Sequence, residues 1–181
     1  YVTANGRALY VPGGVRVEHG VTVLPLSVVA SAAGAALTWD GESAAARLKL
    51  AGAVPPQASY DETDLYWLSR IISAESRGEP LLGQIAVGNV VLNRVNSGQF
   101  PNTVKEVVFD RKYGVQFEPV SNGTIYDRPT DSAMLAAKLC LEGAAPVGDS
   151  LYFYAPALSA GTWISTSRAY YGTIGCHKFY G

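Results

Sequence analysis

Residues 61–80 read DETDLYWLSRIISAESRGEP. Leu65, Leu68, Ile71 and Ile72 recur at helical spacing, which predicts an amphipathic helix. Acidic residues crowd its first turn, where the helix dipole favours negative charge. Pro80 is expected to end it, because the residue before a proline avoids helical geometry. Glu75 follows Ile71 and Ile72 by four and three residues, so it falls on the apolar row. Glu79 continues that row at the expected helix end, where water should reach it. Desolvation disfavours the charged form of a carboxyl and raises its pKa, and a glutamate so placed can donate a proton near neutral pH. The alternative is a carboxylate paired with Arg70 or Arg77, a surface contact worth little.

Downstream, LLGQIAVGNVVLNRVNSG (81–98) has apolar residues on most sides and predicts a largely buried helix stopped by Asn96-Ser97-Gly98. Asn89 and Asn93 share one face; buried amides need partners, so they either brace a loop or face a cleft. NTVKEVVF (102–109) predicts a short helix, and 110–129 a long irregular segment. DSAMLAAKLCLEG (131–143) predicts a third good helix, with Asp131 as its cap and Gly143 as its stop. The tail from Ser150 is aromatic, turn-rich and expected to be non-helical.

Upstream, NGRALYV and VRVEHGVTVLPL alternate and predict strands. LSVVASAAGA predicts a short helix between Pro25 and Gly34, and ALTWDGESAAARLKL a hairpin turning at Asp40-Gly41. AGAVPPQAS (51–59) has the composition of a linker. The expected organisation is a small α+β module over 1–52, a linker over 53–60 and a mainly helical domain over 61–181. The fold class is therefore α+β, ending in an irregular aromatic C-terminal part.

Of 181 residues 48% are hydrophobic and 16% charged, a globular composition poor in charge. A net charge of −1 gives no reason to expect a nucleic acid partner. No apolar run approaches the roughly 18–20 residues of a membrane span. The chain opens on Tyr1 rather than methionine, which fits a trimmed longer product. The only histidines are His19 and His177, and the patterns H-E-x-x-H, C-x-x-C, G-x-S-x-G and the P-loop do not occur. Neither a metal nor another cofactor is therefore expected, and carboxylates are left as the chemical groups.

The segment RIISAESRGEPLLGQIAVGNVVLNRVNSGQFPNTVKEVVF (70–109) resembles the opening of the SleB-type spore cortex-lytic, or cell wall hydrolase, family. The matching motifs are Ala74-Glu75-Ser76-Arg77-Gly78-Glu79, Gly83-Gln84 through Asn93-Arg94, and Phe100-Pro101-Asn102-Thr103. QFEPVSNG (116–123) and TIGCHKFYG (173–181) are similar to two further family elements, and the resemblance spans about residues 64–181. Ser76 stands where alanine is commoner.

The resemblance implies a lysozyme-like or lytic-transglycosylase-like helical domain with a groove for peptidoglycan glycan strands. Glu75 would be the general acid/base for the β-1,4 bond between N-acetylmuramic acid, or its lactam, and N-acetylglucosamine. A transglycosylase needs one carboxyl; a hydrolase usually wants a second, for which Glu79, Glu118 and Asp127 are the candidates. Gln116 and Phe117 would line the groove, Asn122 and Gly123 would shape its loop, and Tyr152, Tyr154 and Trp163 could stack on sugars. His177 reads as structural, and Asn89 and Asn93 as loop braces.

Cys140 and Cys176 would form a disulfide stapling the tail to the third helix of this domain. The implied protein is secreted or associated with wall or spore, and monomeric. A wall-binding protein without turnover is the alternative. Residues 1–50 resemble the copper amine oxidase N-terminal-like module, through Pro25-Leu26, Val29-Ala30, Gly34-Ala35 and Trp39-Asp40, with no copper ligands in evidence. Such a module would bind wall or space the enzyme.

Overall fold

The computed structural model describes residues 1–112, 114–159 and 162–181, which form two compact units, Tyr1–Ser59 and Tyr60–Gly181. In the first, β1 (Val2–Ala4) pairs with β2 (Arg7–Leu9), β3 (Arg16–Glu18) with β4 (Val21–Val23), and β5 (Ala36–Asp40) with β6 (Ala45–Lys49), all antiparallel. The two short hairpins turn at Asn5-Gly6 and His19-Gly20, all four residues at positive φ, as tight hairpin turns require.

Helix α1 (Leu26–Ala33) lays Val28 on Leu9 and Val11, a core so small that this unit is marginal by itself. Residues 53–59, expected as a free linker, pack back on this unit. Any Cβ at Gly34 would stand 2.1 Å from the Val54 carbonyl oxygen, and Ala58 donates its N–H to Asn5.

The second unit is built around three helices, α2 (Glu62–Ser76), α3 (Leu81–Asn96) and α6 (Asp131–Leu141). Short helices α4 (Val104–Val108) and α5 (Glu118–Asn122) intervene, the latter running into a 3-10 turn, Thr124–Tyr126. Leu68, Ile71 and Ile72 of α2 are fully buried, as are Ile85, Val87 and Val91 of α3 and Ala133, Ala136, Ala137 and Leu139 of α6. Gly88 permits the close approach: a Cβ there would meet Ile72 and Cys140 side chains at 2.7 Å.

Another face of α3, at Ala86 and Val90, packs against Val147 and Phe179, with Phe153 and Ile174 beside them. Helix α3 therefore lies between the helical layer and a sheet, which explains its apolar residues on most sides.

Four local expectations are corrected. The C-terminal part is not irregular: β7 (Tyr152–Tyr154), β8 (Tyr170–Ile174) and β9 (His177–Tyr180) form an antiparallel sheet in the order β7-β9-β8. Nor is it free of helix, since α7 spans Thr162–Ser167. The 131–141 helix is capped by Thr130, whose hydroxyl accepts from Ala133 N–H at 3.1 Å, and Asp131 is the first helical residue. Helix α2 stops at Ser76, four residues before Pro80. The Ser76 hydroxyl folds back to the Ile72 carbonyl at 2.7 Å, leaving Gly78 and Glu79 in a turn.

The disulfide is also corrected. Cys140 and Cys176 are free thiols: Cys140 is buried in the helical layer, its thiol donating to the Ile85 carbonyl at 3.3 Å, while Cys176 is exposed at the β8–β9 turn. The pair would have to leave these separate settings to meet at disulfide distance.

Candidate active site

Glu75 sits in the last turn of α2, on the row that buries Ile71 and Ile72. Burial, reinforced by the negative charge of Glu118 and opposed by the positive charge of Arg94, raises its carboxyl to about 7. Neither Arg70 nor Arg77 pairs with it. Arg70 lies 3.7 Å from the centre of the Tyr66 ring, and Arg77 reaches the Ser73 carbonyl and, at 4.0 Å, Asp127. Near neutral pH Glu75 therefore exists in both protonation states, which is what a group that gives and then takes a proton requires.

Arg94 was not singled out from the sequence beyond its place in a motif. It is 5% exposed on α3, its Nε donates to the Leu151 carbonyl at 2.8 Å, and its guanidinium lies among the rings of Phe100, Phe117 and Tyr152 at 4.9–5.7 Å. Burial pulls its pKa down to about 10, partly countered by Tyr152, Asp110 and Glu75, so it remains a cation at neutral pH. Its positive charge acts on the Glu75 carboxyl and opposes the rise of its pKa.

The three candidate second carboxylates separate cleanly. Asp127 faces Arg77 at the surface. Glu79, expected in water, has a side chain only 10% exposed: one oxygen accepts the Cys176 N–H at 2.9 Å and the other stands 3.9 Å from His177 Nδ1. Burial lowers the His177 pKa despite Glu79, so this contact is not an ion pair at neutral pH. Glu118, exposed at the start of α5, is the carboxylate whose field Glu75 feels.

A cleft of about 650 Å³ is lined by Gly98, Gln99, Phe100, Lys112, Gln116, Tyr152, Trp163 and Arg168. It shares Phe100 and Tyr152 with the aromatic setting of Arg94. Of the residues expected at the groove, Gln116, Tyr152 and Trp163 line it. Phe117 does not: it is 2% exposed, a core ring beneath Arg94. Asn122 and Gly123 close a local turn, Asn122 accepting from the Thr124 N–H and hydroxyl at 3.0 and 2.7 Å, with Gly123 at φ 84°. Tyr154 stacks on Tyr180, ring centres 5.8 Å apart.

Asn93 donates to the carbonyls of Gly148 and Ser150, and Asn89 accepts from Val147 N–H, so both hold the loop before β7. Among the described residues no group of three His, Cys, Asp or Glu side chains gathers to hold a metal ion, and no helix is long and apolar enough to cross a membrane.

With this geometry in hand, comparison with known proteins is specific. A family described as Cell Wall Hydrolase matches residues 78–180. The match opens just past Glu75, so the case for that residue rests on its setting. A spore cortex-lytic enzyme of Bacillus cereus is 40% identical over 120 residues, which are 66% of this chain and 45% of that protein. Its counterpart in Halalkalibacterium halodurans is 36% identical over 140 residues, 77% of this chain and 41% of that protein. The chain thus spans less than half the length of these relatives. The solved catalytic domain of the germination-specific lytic transglycosylase SleB from Bacillus anthracis superimposes with a TM-score of 0.62 at 38% identity, over 70% of this chain and all of that one.

Proposed function

The chain belongs to the cell wall hydrolase family, and on that premise we propose that it cleaves peptidoglycan glycan strands as a lytic transglycosylase, with Glu75 as the single acid/base. The observation that carries this reading is a buried carboxyl that titrates at about 7 on the last turn of α2. The bond is the β-1,4 link from N-acetylmuramic acid, or its lactam, to N-acetylglucosamine. Protonated Glu75 gives its proton to the bridging oxygen as the bond to muramyl C1 breaks and N-acetylglucosamine leaves as an alcohol. The Glu75 carboxylate then takes the proton of the muramyl 6-hydroxyl as that oxygen bonds to C1. The product is a 1,6-anhydro end, and Glu75 is returned protonated.

The charges of Glu118 and Arg94 push the Glu75 carboxyl in opposite directions, which keeps both of its forms accessible. Glu118, in contact with solvent, is the group that would activate water if the enzyme hydrolysed instead. The names of the relatives support spore cortex as the wall concerned and germination as the occasion. Secretion, a lysozyme-like groove and a monomeric state belong to the same reading. The first unit, read as a copper amine oxidase N-terminal-like module, would bind wall or space the enzyme.

Digesting purified cortex and vegetative peptidoglycan and reading the released muropeptides by mass spectrometry tests the proposal. Anhydro-muramyl ends are expected. Reducing ends would mean hydrolysis, and no product from either wall would leave a binding protein.

A further inference from the structure

Glu79, Cys176 and His177 meet where the β8–β9 turn packs on the α2–α3 turn, and the proposed acid/base step uses none of them. One Glu79 oxygen accepts the Cys176 N–H at 2.9 Å, and the carboxylate also accepts the Cys176 thiol. The contact is close: a Cβ on Gly175 would stand 1.7 Å from that same oxygen. Glu79 holds the thiol pKa above its ordinary value, so at neutral pH the sulfur keeps its proton and donates. Cys140 is buried in the helical layer, whereas Cys176 is open to solvent.

His177 offers Glu79 a second partner. Its side chain is 9% exposed, with the Phe153 and Phe179 ring centres 5.3 and 6.4 Å from its own. Its Nδ1 is buried without a hydrogen-bond partner, which is costly for a polar atom. That nitrogen faces the other Glu79 oxygen at 3.9 Å, beyond the reach of about 2.7–3.2 Å that a hydrogen bond requires. A shift of the carboxylate toward Nδ1 would satisfy the nitrogen and draw Glu79 off Cys176. The two arrangements make a two-position element.

We propose that Cys176 is a modification site for low-molecular-weight disulfides, and that the adduct transfers Glu79 from Cys176 to His177. The Cys176 thiolate attacks one sulfur of the disulfide and bonds to it as the original S–S bond breaks. The second sulfur leaves as a thiolate and takes up the proton that Cys176 gave to solvent. The disulfide is the oxidant, and it is reduced to one free thiol and one mixed disulfide. The adduct has no S–H to donate to Glu79, and its bulk crowds the turn. Glu79 is tied by its N–H to the Ser76 carbonyl at 2.9 Å, so its displacement reaches the end of α2. The consequence for activity rests on the proposed role of Glu75: the modified chain cleaves more slowly, and a reducing thiol restores it.

The test treats the whole chain with glutathione disulfide at mildly alkaline pH, where more thiolate forms, and locates the adduct by peptide mass. The Nδ1 resonance of ¹⁵N-labelled His177 and the cleavage of purified cortex peptidoglycan are measured before treatment, after it and after reduction with dithiothreitol. One glutathione on Cys176 is expected. The His177 Nδ1 resonance should move to a hydrogen-bonded position, cleavage should fall roughly three- to tenfold, and reduction should reverse both. Cys176→Ser keeps a hydroxyl donor for Glu79 and should behave as the untreated parent, with no response to the disulfide.

No adduct on the folded chain, an adduct that leaves either the His177 resonance or the cleavage rate unchanged, or an equal loss of cleavage in Cys176→Ser would overturn the inference while leaving Glu75 as the acid/base. No cleavage by the untreated parent would overturn the proposed function and the control of cleavage with it. The His177 resonance would then still support or overturn the transfer of Glu79.

Discussion

Glu75 and Glu79 are the same side chain four residues apart, and the two ends of that short stretch have opposite designs. At Glu79 the carboxylate is surrounded by partners: the Cys176 N–H, the Cys176 thiol and, at longer range, His177. It joins the α2–α3 turn to the β8–β9 turn, 97 positions away in sequence, and Gln84 secures the same turn by donating to the Glu79 carbonyl at 2.9 Å. At Glu75 the carboxyl is buried with a like charge nearby, and no arginine neutralises it directly. A carboxylate satisfied by donors is a structural clamp; one held in an apolar row and left in an opposing field is ready to exchange its proton. Helical position separates the two by exposure and leaves Glu79 in water; the partners that bury Glu79 come from the β8–β9 turn.

Substitutions that interchange these roles should fail in opposite ways. The largest effect is expected from Glu75→Gln, which removes the exchangeable proton and should lower cleavage by roughly 10²–10⁴-fold without lowering stability. Its stability effect has a definite sign. The folded-state pKa of Glu75 is about 7 against an ordinary 4.5, so its contribution is fully present below the ordinary value and is lost as pH rises through about 7. The variant should lack that loss and show a flatter dependence of melting temperature on pH over this window.

Gly175→Ala comes next. Its Cβ would fall 1.7 Å from Glu79 Oε2, at a φ of +58°, and a loss of about 2 kcal/mol or more in denaturant unfolding is expected. Glu79→Gln keeps an acceptor but gives up the charge, and should cost about 1–2 kcal/mol of stability while changing cleavage by only a few-fold. The smallest effect is expected from Glu118→Gln. Removing the like charge should lower the pKa of Glu75 and move the high-pH limb of the cleavage profile downward by a fraction of a pH unit, with the melting temperature nearly unchanged.

The sequence carried the helical layer because its signal is local. Leu68, Ile71 and Ile72 repeat within two turns, and α3 announces its burial by apolar residues on most sides. The same row pointed to Glu75. The end of α2 was misplaced because Pro80 is a stronger written stop than Ser76, whose hydroxyl turning back to Ile72 is invisible in a string.

The C-terminal sheet was missed because β9 pairs with both β7 and β8, and its central pairing crosses a stretch of turn residues. The cleft could be read only in part. Gln116, Tyr152 and Trp163, from a loop, a strand and a helix with no common spacing, are reached through the family resemblance, whereas Arg94 and Arg168 matter through partners elsewhere in the chain. The disulfide failed for a related reason: two cysteines in one chain say nothing about distance, and Cys140 belongs to the packed face against Ile85.

The most direct test of Glu75 as the acid/base is the pH dependence of peptidoglycan cleavage by the parent chain beside Glu75→Gln at equal concentrations of folded protein. The parent should lose activity as pH rises through about 7, where Glu75 gives up its proton, and the variant should stay near background at every pH. A variant that cleaves at the parent's rate with the parent's profile would contradict the account and move the proton transfer to another group.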